Sequence, residues 1–186
     1  LIHGYMAGNY LIEERVWPVK RLFRSGLDVV ISVLPLHGQR RAEARGYRPP
    51  AFPSSDPRFT IEGFRQLVFD HRALFDFLRL AGISELGVMG MSLGAYSAAL
   101  LATLEQQLRF AVFTVPLAAI EDFAHDSGRM TGDSAQQLAQ RDALARAQAV
   151  ISPFSRPSLI PPSQVITVAG ESDLVTGLVH AQSLTQ

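Results

Sequence analysis

The 186-residue chain has no cysteine, which removes disulfides, thiolate nucleophiles and thiolate metal sites from consideration. That composition suits a reducing compartment, and a cytoplasmic location is the expectation. It also lacks net charge: Lys plus Arg and Asp plus Glu are 17 each. Nucleic acids and anionic membranes select a basic face, so neither is expected as the partner. No apolar run approaches the ~18 residues that span a bilayer, and no signal peptide is visible. The chain opens Leu1-Ile2-His3-Gly4, inside an apolar stretch, so a leader would not show in it. Three motifs are absent as well. There is no Gly-Lys-Ser/Thr phosphate loop, no Gly-x-Gly-x-x-Gly dinucleotide fingerprint, and no His-x-x-x-His pair with metal-ligand spacing. No cofactor and no metal are expected.

What is present is an ordinary folded composition, 47% hydrophobic and 18% charged. It is enough for one domain over 1–186 and too little for two. The pattern alternates strand and helix. Leu1-Ile2 reads as the tail of a strand, and Asn9 as the cap of a helix with apolar positions Ile12, Val16, Val19, Leu22 and Phe23, kinked at Pro18. Leu27–Leu34 reads as a strand buried on both faces. Residues 35–60 are punctuated by Pro35, Gly38, Gly46, Pro49, Pro50, Pro53 and Pro57 and read as loop. A helix follows over 60–80, with Phe64, Leu67, Val68, His71, Phe75 and Leu78 on one face. Strands are expected at 86–89, 110–115 and 164–169, and helices at 93–105, 135–150 and 176–184. Such alternation predicts a mostly parallel α/β sheet with helices on both faces.

The run Gly90-Met91-Ser92-Leu93-Gly94 lies where the 86–89 strand becomes a helix. A Gly-x-Ser-x-Gly pattern arises by chance in about 0.06 of chains this long at ordinary glycine and serine frequencies, so its context must carry the weight. A nucleophile elbow needs a sharp strand-to-helix turn with small neighbours, so that the hydroxyl projects above the carboxyl end of the sheet. The following Leu93-Gly94-Ala95-Tyr96-Ser97-Ala98-Ala99 supplies that helix start, whose N–H groups point at a developing oxyanion. The competing explanation is tight packing at a turn of small residues.

Four segments together resemble the α/β-hydrolase superfamily over essentially the whole chain: LIHGYMAG, VVISVLPLHGQRR, GVMGMSLGAYSAAL and VITVAGESDLV. They are similar to that family's His-Gly oxyanion loop, its fourth strand, its elbow and its acid turn, and in detail to its α/β-hydrolase-domain protein 18-like group. The resemblance implies an esterase-like serine hydrolase that forms an acyl-enzyme on Ser92. It implies an oxyanion hole from the backbone N–H of Leu93 and of Tyr5, with Met6 as the alternative second donor. It implies Asp173 as the triad acid, with Glu171 and Asp122 as alternatives. The implied partner is a small-molecule acyl ester.

The family's base follows an eighth strand, which has no counterpart before Gln186, and the family's first two strands have none either. The expectation is therefore a core incomplete at both ends and inactive alone. The five histidines are His3, His37, His71, His125 and His180. The first two are expected to be structural members of their loops, His71 a core residue, and His180 to be carried away from the site by its helix. Residues 120–162 interrupt the alternation and are expected to form a lid. The function of a different class that the same residues permit is a non-catalytic, hydrolase-like binding or scaffold protein.

Overall fold

The computed structural model describes residues 1–41 and 50–184; Gly46 and Pro49, expected to keep 35–60 irregular, lie outside them. The chain folds as a mixed α/β unit around a parallel sheet of three strands flanked by helices: β1 (Leu86–Met91), β2 (Leu108–Thr114) and β3 (Val165–Val168), in that spatial order. Ile2 extends the order beyond β1. It bridges Gly90 on one side and Ser32 on the other, both in parallel. Met91, Thr114 and Val168 stand side by side in the register, so the chain leaves the carboxyl ends of all three strands at one level.

The helices are α1 (Tyr10–Val16), α2 (Val19–Arg24), α3 (Pro57–Leu80), α4 (Leu93–Ala102), α5 (Ile120–Asp126), α6 (Ser134–Gln148) and α7 (Gly177–Ser183). The core is built on α4, which is apolar all round and buried at every position, as such a helix must be. It packs on β1 and β2. Against it lie Ile2, Leu34, Phe64, Leu67 and Phe113, and each such side chain contributes ~1.5–3 kcal/mol on burial. The long α3 starts at Pro57 behind the Asp56 cap and buries Phe64, Leu67, His71 and Phe75, with Val68 and Leu78 partly covered. Arg72 on α3 binds Glu105, just after α4, at 2.6 Å.

Three expectations are corrected. Pro18 breaks the first helix instead of kinking it. Trp17 is held extended before the proline (ψ 145°), where an α conformation would clash with the ring. Of the apolar positions expected on that helix, Ile12, Val16 and Phe23 are exposed. The buried position of α1 is Glu13, whose carboxylate accepts from the Gly8 N–H at 2.8 Å and the Trp17 indole at 3.1 Å. Residues 27–34 run extended but make only the single Ser32 bridge. Leu27 and Val30 are exposed and only Val33 and Leu34 are buried, because this segment is the outermost member of the sheet among the described residues. Finally, the polar stretch after residue 120 begins with a helix, α5, that sequence reading did not anticipate.

Candidate active site

Ser92 occupies the one-residue joint between β1 and α4. Its N–H donates to the Thr114 carbonyl at 3.0 Å, which continues the strand ladder. Its own carbonyl accepts from Ala95 at 3.0 Å and Tyr96 at 3.1 Å, which begins the helix. To serve both, the backbone turns to φ 54°, ψ −115°, a region L-residues rarely enter and one that persists only where the surroundings over-determine it. The side chain makes no capping bond, so the hydroxyl is not spent on the helix end. The small neighbours are needed for close approach. A methyl at Gly90 would overlap the Gly94 carbonyl, and one at Gly94 would overlap the carbonyls of Ile2 and His3.

The His-Gly loop runs directly past the serine; a side chain on Gly4 would stand 3.4 Å from the Ser92 Cβ. The loop is held by His3, which is fully buried. The Leu34 N–H donates to its Nε2 at 3.0 Å, and its Nδ1–H therefore donates to the Gly4 carbonyl at 2.7 Å. Burial pushes the imidazole below its ordinary pKa, so it is a neutral strut with both nitrogens committed. His37 is also fully buried, with Nδ1 on the Pro35 carbonyl at 2.8 Å. Burial lowers its pKa to about 4. Among the described residues the N–H groups of Leu93 and Tyr5 have no acceptor. For Leu93 this follows from its place in the first turn of a helix.

Ser92, Leu93 and Tyr5 line one cavity of about 550 Å³, inside the usual range for small-molecule sites. Its other walls come from the 53–55 loop, from Val175 and Thr176, and from the 120–162 segment, which supplies Ile120, Phe123 and Leu144 among others. That segment folds as α5 packed on α6 and lies over the serine side of the sheet ends.

Asp173 lies next door. It lines a larger recess of about 780 Å³ that shares Phe123, Val175 and Thr176 with the first cavity as a common wall. The larger recess does not include Ser92, which lines the smaller cavity. Both carboxylate oxygens of Asp173 are engaged. Oδ1 accepts from the N–H groups of Val175 (2.8 Å) and Thr176 (3.1 Å), and Oδ2 accepts from the Thr176 hydroxyl at 2.5 Å. These bonds, the Thr176 hydroxyl first, hold the carboxyl below the usual carboxylate range. His180 lines the same recess as Asp173 and not the cavity that Ser92 lines; its Nδ1 accepts from the Ala118 N–H at 3.2 Å. His71 binds the Leu67 carbonyl inside α3, and His125 pairs with Asp126 on α5. Of the alternative acids, Asp122 is bound by Arg141 at 2.6 Å and Glu171 is exposed. Among the described residues no imidazole hydrogen-bonds to Ser92 or Asp173, and no group of three or more His, Asp or Glu could hold a metal ion. No helix among them is long and apolar enough to cross a membrane.

Sequence reading missed Thr176, although the Asp-x-x-Thr spacing is the signature of a side chain bonding to N–H groups two and three residues on. It also missed Arg129 and Gln148 in the cavity wall, for which no sequence signal exists.

No family model matches the chain. It is 33% identical over 184 residues to two uncharacterized proteins of Mycobacterium tuberculosis, Rv2627c of strain ATCC 25618 / H37Rv and MT2702 of strain CDC 1551 / Oshkosh. The match takes in 96% of this chain and 42% of each relative. The chain thus spans less than half the length of the curated relatives it matches.

Proposed function

We propose that the chain is the core of a serine hydrolase of the α/β-hydrolase type, cleaving a carboxylic ester or related acyl compound through an acyl-enzyme on Ser92. The observation that carries this reading is the backbone of Ser92, held at φ 54° between strand and helix with its hydroxyl free of the helix cap and facing a cavity. Purely structural turns rarely retain such strain at a non-glycine residue. The spatial order 32, 2, β1, β2, β3 supports the superfamily, as do the four segments that resemble it. In the proposed reaction Ser92 Oγ attacks the acyl carbonyl, and the oxyanion is received by the N–H groups of Leu93 and Tyr5. A histidine oriented by Asp173 takes the serine proton and returns it to the leaving alcohol, after which water releases the acid.

A second reading, a hydrolase-like binding protein without catalysis, is favoured by one observation: none of the five histidines is bonded to Ser92 or Asp173 among the described residues. A fluorophosphonate probe on the full-length protein separates the two. Labelling that disappears in Ser92→Ala, together with ester turnover, is expected of the enzyme. Ligand binding with an unreactive Ser92 identifies the binding protein.

A further inference from the structure

The cavity at Ser92 is largely apolar, with Leu93, Leu117, Ile120 and Leu144 in its walls, and no carboxylate lines it among the described residues. A single charged side chain lines it among the described residues: Arg129, from the loop after α5. The guanidinium lies 5.1 Å over the ring of Phe123, itself a wall residue, and no acidic side chain pairs with it among the described residues. The other arginine at this face of the 120–162 segment, Arg141, is neutralised by Asp122 and Asp142 at 2.6 and 3.1 Å. Among the described residues one cation is thus left without a counter-charge at the edge of an apolar cavity; its side chain is exposed, and an ionic hydrogen bond there is still stronger than a neutral one.

A second observation points to the same place. Gln148, at the end of α6, also lines the cavity and is only 2% exposed, yet its Oε1 has no hydrogen-bond partner. A buried amide left unpaired costs free energy unless something binds it. A half-turn about its last bond exchanges the oxygen for the NH2 group, so this position can offer either an acceptor or a donor pair.

We propose that the acyl compound admitted to the Ser92 cavity carries an anionic group, a carboxylate, bound at the edge of the cavity by Arg129 with the Gln148 amide as its second contact. The ligand class is the monoester of a medium-length dicarboxylic acid: an apolar chain for the leucine and isoleucine walls, an ester at the serine and a free carboxylate at the edge. The ester part rests on the serine-hydrolase reading; the anion site does not.

Two arms keep these apart, both on the full-length protein. The first compares kcat/KM for mono-p-nitrophenyl adipate, which is anionic, with its methyl-capped neutral counterpart. The anionic ester is expected to be preferred about tenfold or more, the worth of one charge-assisted hydrogen bond. The ratio should collapse toward unity in Arg129→Gln, fall partway in Arg129→Lys, which keeps the charge without the fork, and fall in the similarly shaped Gln148→Met. The second arm measures calorimetric binding of monomethyl against dimethyl adipate to Ser92→Ala. Arg129-dependent binding of the monoanion without turnover by the wild type upholds the anion site and overturns the hydrolase reading. Hydrolysis with no charge preference, or with one that survives Arg129→Gln, overturns the anion site and leaves the hydrolase reading standing. Neither binding nor hydrolysis overturns both.

Discussion

Gly94, in the first turn of α4, lies with its Cα directly against the carbonyl of Ile2, so that no side chain fits between them. That contact brings the helix carrying the Ser92 turn onto the segment that leads into the His-Gly loop. Gly94→Ala must therefore push α4 off Ile2 or break the Ile2 carbonyl bond to the Met91 N–H. It is expected to cost at least about 1–3 kcal/mol, as overpacking does in close-packed interiors. The urea midpoint should fall, and probe reactivity at Ser92 should fall with it. An unchanged midpoint would show that the approach is not needed.

Ser92 stores strain that glycine can release. Ser92→Gly and Ser92→Ala both abolish the hydroxyl, but only glycine adopts φ 54° freely. Strain of this kind is worth ~1–3 kcal/mol, offset by ~0.4–1 kcal/mol for the looser unfolded chain. The glycine variant should be the more stable of the two, by up to about 2.5 kcal/mol, in matched denaturation curves. Equal midpoints would remove the case for strain.

The Asp173 carboxyl is held below its usual range chiefly by the Thr176 hydroxyl. A lowered carboxylate pKa contributes stability that is fully present above the unfolded value and is lost as pH falls through the folded one. Thr176→Val should destabilise the protein at pH 7, and the difference from wild type should shrink progressively in acid. Carbon-13 titration of Asp173 should show its pKa moving up in the variant. A gap that stayed constant with pH would mean the threonine acts by packing alone.

His37 gives a second pH dependence of the same sign from the opposite kind of group. Burial holds its pKa at about 4 against an ordinary 6.5, so between these values the unfolded chain takes up a proton that the folded one refuses. Stability from this source is complete above pH 6.5 and declines as pH drops toward 4. His37→Phe, which keeps a ring against Phe52, should flatten the stability profile in that window whatever its effect at pH 8. A wild-type slope retained in the variant would assign the dependence elsewhere.

The 120–162 segment is expected to set chain length and not chemistry. Leu144 projects from α6 into the Ser92 cavity. Leu144→Trp should cut kcat/KM about tenfold or more for the longest acyl esters accepted while sparing short ones, as steric limits in apolar pockets do. Labelling of Ser92 should persist. An unaltered chain-length profile would mean that the acyl chain lies elsewhere.

Local information determined much of this protein. Periodicity placed α3, the Asn9 cap marked where α1 starts, and the small residues after Ser92 marked the start of α4, whereas α3 begins at Pro57 behind Asp56 and not at 60. The Gly-x-Ser-x-Gly pattern located the strained turn because the strain is local: strand, one residue, helix. What the sequence could not decide depended on neighbours distant in the chain. Leu27–Val30 has the composition of a central strand, yet its position in the sheet leaves one side open. The apolar positions of α1 are exposed because a buried Glu13 is needed to hold Gly8, a preference no hydropathy pattern contains. The turns that hold Asp173 and Ser92 were each legible, but the separation of these residues into adjoining cavities with Thr176 in the common wall was not. Nor was the meeting of Arg129 and Gln148 in one apolar cavity. Burial and pairing are properties of what surrounds a residue, and a chain specifies those surroundings only once it has folded.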